Sequence, residues 1–370
     1  MHSSKVAWED IATPKEEGGL GLKKLEDINF ALMARHIWHL CLPSTSSPWV
    51  NWVRRYLIRE HSFWDLPIPS NCTWTWRKLL GMRDKIRPFL KVQIGDGADT
   101  WLWLDSWLPM GSILQNFDDR IIYDSGLPRH ARVSSIIRNG QWAWPVANSP
   151  DLLILKQTIL PFLQPSGDHR DRLIWTPSAS SSFSTKSAWQ MLRTPHLKVD
   201  WYKLVWFSGN IPKVGFLLWL AIRRRLGTQD RLHNPIPTGC LFCRLPLESH
   251  EHLFFDCPFT QQVWSSILAK CYGAPISMTW LDLITWAARF WKGKTLAMKV
   301  NKLALVASVY MIWMDRNSRF HTNSCSDVSQ LVREIINLIR SRLMSYSHIV
   351  DNDQNRRIVV DWSLPDTIFT

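Results

Sequence analysis

Four side chains in one short stretch are equipped to hold a metal ion: Cys240, Cys243, His252 and Cys257, spaced Cys-x2-Cys-x8-His-x4-Cys. Thiolates with one imidazole form a donor set that suits tetrahedral zinc. A close cysteine pair, a short loop, then His and Cys is how small zinc modules close their cage. A catalytic zinc keeps one position open for water, whereas four protein ligands leave none, so one structural Zn2+ is expected. His250 is the rival imidazole, but His252 adjoins the apolar run Leu253-Phe254-Phe255, which would dock it against the module. Two blander readings compete. A free cysteine is commonly just a small buried hydrophobe, yet three of the seven cysteines crowd here beside a histidine at ligand spacing. A disulfide framework fits poorly, because the count is odd and Cys41, Cys72, Cys271 and Cys325 are scattered. The opening Met1-His2-Ser3-Ser4 lacks the apolar run of an export signal. The expected location is an intracellular, reducing compartment, the nucleus included.

The next chemistry is electrostatic. The 370 residues carry a formal charge of +13 and a pI near 9.6, which points to a polyanionic partner, RNA or single-stranded DNA. The candidate contacts are Arg223, Arg224 and Arg225, with Lys213 upstream on the same element. Three consecutive arginines cannot share one buried helix face, so at least two should reach solvent. They could equally be solvated cations facing a helix C-terminus. A second basic stretch runs through Arg77, Lys78, Arg83, Lys85, Arg87 and Lys91. The 23 tryptophans are unusual, and tryptophan can stack on bases. Trp38, Trp52, Trp189, Trp219, Trp264 and Trp313 nevertheless fall at helical spacing and read as core. The longest apolar runs, 214–222 and 303–314, are too short to cross a bilayer, so no membrane partner is expected. The one Asp-Asp pair, Asp118-Asp119, sits in an ordinary loop context and suggests no paired-carboxylate metal site. No enzyme activity is expected of this chain.

These groups must be positioned by a mostly helical α+β fold with a small β-rich middle. Helices are expected around residues 30–41, with Asp27 as cap, then 49–57, 76–86, 152–162, 188–192, 214–225, 260–270, 281–291, 295–320 and 327–344. Pro212 starts the helix leading to the arginines, and Ser184 and Thr228 are further caps. The glycines of Gly18-Gly19-Leu20-Gly21 mark a tight turn, since the Lys-Ser/Thr ending of a phosphate loop is missing. Residues 91–94 and 100–104 read as a hairpin about Gly95-Asp96-Gly97, and 173–175 with 182–183 as another strand pair. Asn139-Gly140 is a turn before Trp142. From Ser345 onward the chain reads as a loosely held tail.

In this order the segments resemble the C-terminal part of plant LINE-type (non-LTR) retrotransposon polyproteins. Residues similar to the reverse transcriptase zinc-binding domain are Trp206, Pro212-Lys213-Val214, Phe216, Trp219, Leu226, Thr228, Asp230, Leu232, the Cys240 and Cys243 pair, Glu248-Ser249, His252, Cys257-Pro258-Phe259 and Trp264. Upstream, Trp8, Pro14-Lys15, Gly18 to Leu22 and Asn29 to Leu32 resemble the segment that follows the polymerase in such elements. Gly95-Asp96-Gly97 with Trp103, Asp105 and Trp107 is similar to their linker. Ile312-Trp313-Met314-Asp315-Arg316-Asn317 resembles the helix before a ribonuclease H domain, and Asp315-Arg316 could be a simple ion pair. The resemblance implies a helical post-polymerase segment (1–90), a Trp-rich linker with strands (91–195), the zinc-binding domain (196–270), C-terminal helices (271–345) and a tail (346–370). It implies a nucleic-acid-binding accessory region lacking polymerase, endonuclease and ribonuclease H domains, with the parent element's polymerase as a further partner. The alternative is a zinc-stabilised structural or protein-interaction module from a decayed or domesticated element. Oligomeric state is left open.

Overall fold

The computed structural model describes residues 6–146, 149–159, 169–231, 239–273 and 278–369. In chain order its helices are α1 (Trp8–Ile11), α2 (Leu25–Cys41), α3 (Pro48–Val53), α4 (Trp74–Ile86), α5 (Arg120–Ser125), α6 (Pro150–Ile159), α7 (Thr185–Leu192), α8 (Tyr202–Val205), α9 (Pro212–Ile222), α10 (Pro258–Leu268), α11 (Trp280–Phe290), α12 (Leu296–Thr322), α13 (Val328–Leu343) and α14 (Asp353–Asp361). Among the described residues four short strands, β1 (Leu90–Gln93), β2 (Ile137–Arg138), β3 (Gln141–Trp142) and β4 (Arg172–Trp175), form two two-stranded sheets. The fold is α+β and mostly helical, with its strands in the middle of the chain. It divides into two compact units, residues 23–195 and residues 1–22 with 196–370.

In the unit 23–195, α2 packs on α4 and α7 through Ala31, Ala34, Ile37 and Trp38. Asp27 lies inside the first turn of α2 rather than capping it; Lys24 holds the cap position. Thr73 caps α4, its hydroxyl accepting from the Trp76 amide, and Ser184 caps α7 through the Ser187 amide. The expected 91–104 hairpin does not form. β1 pairs antiparallel with β4, Leu90 opposite Trp175 and Gln93 opposite Arg172. The cause is Asp171, buried at the head of β4. Its carboxylate accepts from the Gly95, Gly97 and Asp99 amides and from the Thr100 hydroxyl at 2.6–3.2 Å. The Gly95-Asp96-Gly97 turn wraps a distant carboxylate instead of reversing the chain. Because β4 is taken by β1, Ser182 and Phe183 pair with no strand; only the Ser181 carbonyl meets the Trp175 amide. The Asn139-Gly140 turn does join β2 to β3, with φ of +51° and +70° at its two centre residues, the left-handed pair of a type I′ hairpin. The 152–162 helix is present to Ile159, and its last expected residues lie outside the described ones.

One tryptophan expected in the core is not there. Trp52 on α3 is 51 % exposed, and Trp49 and Tyr56 are exposed beside it. The helical period was legible; the face it turns inward is the Val50, Val53 and Ile58 side.

The unit 1–22 with 196–370 is built around α12. This helix is long and apolar enough to cross a membrane by composition alone, but 78 % of its most apolar window is buried here. It packs on α9, α10 and α13. Thr279, Thr295 and Asp327 cap α11, α12 and α13 as side-chain acceptors. The segment beyond Ser345 is not loose: α14 forms, and Ile358, Val359, Trp362 and Ile368 are buried in the same core. An aliphatic pair followed by Trp362 supplies enough apolar surface to dock a nine-residue helix. At the other end, Lys15–Glu17 makes a 3-10 turn closed by Gly18 at φ +87°. A side-chain carbon at Gly19 would meet the Thr13 hydroxyl oxygen at 2.2 Å, which explains why the turn is glycine-rich.

Candidate metal centre

Cys240 and Cys243 sit on a loop that turns back on itself. The Cys240 amide donates to the Leu245 carbonyl at 2.8 Å and the Arg244 amide to the Cys240 carbonyl at 2.7 Å. Gly239 makes this possible: its φ is +65°, and a side-chain carbon there would fall 2.3 Å from the Leu245 carbonyl oxygen. His252 and Cys257 come from the other side. They lie five residues apart, about 500° of an α-helix, which would point them well away from one another. Instead His252–Asp256 is a π-turn, and the Cys257 amide closes it on the His252 carbonyl at 2.8 Å. Pro258 then starts α10, so Cys257 occupies its N-cap, where the helix dipole favours a thiolate.

The four donor atoms all lie within 4.8 Å of one another. Cys240 Sγ is 3.9 Å from Cys257 Sγ, and Cys243 Sγ is 3.1 Å from His252 Nε2. Zn–S bonds of about 2.3 Å in a tetrahedron imply an S···S edge of about 3.8 Å, so the sulfur pair is already at cage spacing. Cys240 and Cys257 are fully buried. Between them one thiol is held back for the other: the bond from Cys240 pulls the Cys257 thiol down, while sharing that bond and burial push the Cys240 thiol up. The donor set and its spacing fit one structural Zn2+.

His250 is not in the cluster. It packs between Phe254 and Trp280 at centroid distances of 4.9 Å, and burial pushes its pKa down to about 4. The apolar run docks the module as its sequence suggested. Leu253 and Phe254 are fully buried, Phe255 stacks on Trp264, and the Trp264 indole donates to the Phe254 carbonyl at 2.7 Å. Phe242, between the first two cysteines, stacks flat on Phe259 at 4.7 Å. The Arg319 guanidinium from α12 covers both rings.

The Asp315-Arg316 ion pair does not occur. Asp315 pairs with Arg319 one turn on, at 2.7 Å. Arg316 reaches the zinc loop and grips Glu248, with Nη2 to Oε1 at 2.7 Å and Nε 3.1 Å from the same oxygen. Both side chains are essentially dry, at 0 % and 4 % exposed. Glu248 also accepts from the Gln229 amide, tying the Leu226-to-Asp230 segment beneath the loop, and Ser249 accepts from the His252 amide. Glu248 and Arg316 were each visible as motif residues. Their pairing was not, because 68 residues separate them. Leu232, part of the same motif, lies outside the described residues.

The basic candidates are distributed rather than convergent. α9 ends at Ile222, not at 225. Arg223 is half-buried, paired with Asp10 at 2.8 Å and donating to the Gly18 carbonyl at 3.1 Å. Arg224 turns left-handed at φ +53° and pairs at 2.5 Å with Glu251, the neighbour of His252. Arg225 is exposed, with no hydrogen bond or ion pair from its side chain among the described residues. Lys213 lies at the opposite end of α9, over the Tyr310 ring, and its hydrogen bond to the Tyr310 hydroxyl raises its pKa.

Residues 183–264 match the family described as zinc-binding in reverse transcriptase. The matched stretch holds all four metal candidates. An Arabidopsis thaliana protein named for ribonuclease H is 26 % identical over 286 residues, 72 % of this chain and 44 % of that protein. Two uncharacterized mitochondrial proteins of Arabidopsis thaliana are also similar. One is 28 % identical across 28 % of this chain and 68 % of its own length, the other 37 % identical across 20 % and 54 %. This chain therefore spans under half the length of the ribonuclease H-named relative. No solved structure matches.

Proposed function

We propose that this chain, which carries the zinc-binding region of a plant reverse-transcriptase-related protein, is a nucleic-acid-binding accessory region. Its Zn2+ is held by Cys240, Cys243, His252 and Cys257. When bound, the ion supplies a cross-link between the Cys240–Cys243 loop and the start of α10. What the chain's own residues do is present cations beside that cross-link. The observation that carries the reading is Arg224 and Arg225: both are exposed, and Arg224 is anchored to Glu251 next to His252. Arg223 belongs to the scaffold, so the exposed pair is the phosphate grip, with Lys213 outside it. An overall charge of +13 supports a polyanionic partner. The reading gives the chain no catalytic step of its own. Asp119 of the Asp118-Asp119 pair is held by Arg129 at 2.9 Å, and the polymerase domain of a LINE-type element is the partner it would serve.

A second reading, a zinc-stabilised interaction module, draws on the dry Glu248–Arg316 pair, which builds the zinc loop into the helical core. One experiment separates them. Protein purified under reducing conditions should contain one zinc, and Cys257→Ala should contain much less. Arg224→Ala/Arg225→Ala should keep its zinc, bind single-stranded RNA or DNA more weakly at every sequence, and lower the salt slope by about two. Zinc near zero in the wild type overturns the metal assignment. Wild-type binding by the double variant at all salt concentrations overturns the zinc-side grip, and no binding by the wild type leaves only the second reading.

A further inference from the structure

The chain has a second surface with nucleic-acid chemistry, in the unit 23–195 and built from different residues. α3 and the π-turn Arg54–Ile58 that follows it carry two apolar stripes. Val50, Val53 and Ile58 face the core at 0 %, 1 % and 6 % exposed. Trp49, Trp52 and Tyr56 face outward at 37 %, 51 % and 52 %. This inverts the ordinary preference, since large aromatic rings release more free energy on burial than small aliphatic ones. The helix spends its smaller residues on packing and displays its rings.

The displayed rings are ordered. Trp52 and Tyr56 lie 5.6 Å apart by centroid, and exposed His36 stands edge-on to Trp49 at 5.0 Å. Steps of three and four residues along the element advance each ring by about 5 Å, a ladder rather than a patch. The rings border a groove of about 740 Å³ whose lining includes Arg59 and His61 and no carboxylate. Arg55 flanks Tyr56 from the solvent side. Arg59 is set at the groove edge by an unusual left-handed φ of +56°. No Asp or Glu stands between Asp27 and Glu60, and Glu60 does not line the groove. Exposed rings in sequence with cations beside them are the chemistry of a sequence-tolerant single-strand platform: bases stack on the faces and guanidiniums take the phosphates.

We infer that the Trp49–Trp52–Tyr56 face is a stacking platform for single-stranded nucleic acid, with Arg55 and Arg59 as its phosphate contacts. This rests on the reading that the chain binds nucleic acid and adds a site remote in sequence from the zinc region. The test is anisotropy of labelled oligo(dT) and oligo(U) with the full chain over a range of salt. Trp52→Ala/Tyr56→Ala should weaken binding about thirtyfold or more and leave the salt slope unchanged, because stacking releases no counterions. Trp52→Phe should keep most of the affinity, which shows that a ring is needed and that the fold is intact. Arg55→Ala/Arg59→Ala should instead lower the slope by about two. Wild-type affinity in the double aromatic variant, with the wild type binding normally, overturns the platform and leaves the zinc-side grip standing. No binding by the wild type at low salt overturns the nucleic-acid reading and the platform together. A wild-type dimer that Trp52→Ala/Tyr56→Ala dissociates overturns the platform in favour of a self-association face.

Discussion

At the scale of single residues, the zinc ligands mark the site and Glu248 with Arg316 hold it in place. An arginine and a glutamate taken out of water are tolerated only when each satisfies the other, and removing one partner typically costs about 3–5 kcal/mol. Glu248→Gln should therefore lower unfolding free energy by about 3 kcal/mol or more in a urea titration. Adding Arg316→Met should cost less than the sum of the two single changes, since the stranded guanidinium is gone. An additive result would mean the pair contributes nothing beyond packing. The four ligands were readable because zinc chemistry constrains both residue type and short spacing. The ion pair was not readable, since nothing in a local pattern links position 248 to position 316.

At the scale of elements, sequence served best where a signal is local, although Asp27 lies inside its helix and the Thr228 hydroxyl, expected as a cap, accepts no hydrogen bond among the described residues. The Ser184 cap, Pro at the start of α9 and the Asn139-Gly140 turn each act within a few residues and each stands where expected. It failed where the partner is distant. Gly95-Asp96-Gly97 has hairpin chemistry, yet β1 finds β4 some eighty residues on because Asp171 captures the loop amides. Asp171→Ala should strand three amides and a hydroxyl and cost about 3 kcal/mol or more. Hydrogen exchange should show β1 and β4 losing protection together; if the amides of Leu90–Gln93 stay as protected as in wild type, the latch is unimportant. A different failure concerns α3. Its period was right and its inward face wrong, because aliphatic and aromatic stripes compete on one short helix and only tertiary packing chooses between them.

At the scale of the whole molecule, each unit has its own buried core among the described residues, one cluster in residues 1–22 with 196–370 and two in residues 23–195. Zinc removal should act on one unit. With a strong chelator, calorimetry should show a fall of more than about 10 °C in the transition of the zinc-bearing unit, given the folding energy such sites supply. The transition of residues 23–195 should stay put; a shift of both would show that the units unfold as one. The zinc-bearing unit is also discontinuous in sequence. Its opening strap is fastened by the Trp219 indole to the Gly18 carbonyl, 201 positions away, and by the Val199 amide to the Glu16 carbonyl. A ribosome adding 5–20 residues per second delivers Trp219 about 10–40 s after Gly18. For that interval Val6, Ala12 and Leu20 emerge with no surface to cover them, while the intervening unit is free to fold first. The strap can therefore be fastened only after the intervening unit has been made, and residues 6–22 stay open to wrong partners for that time.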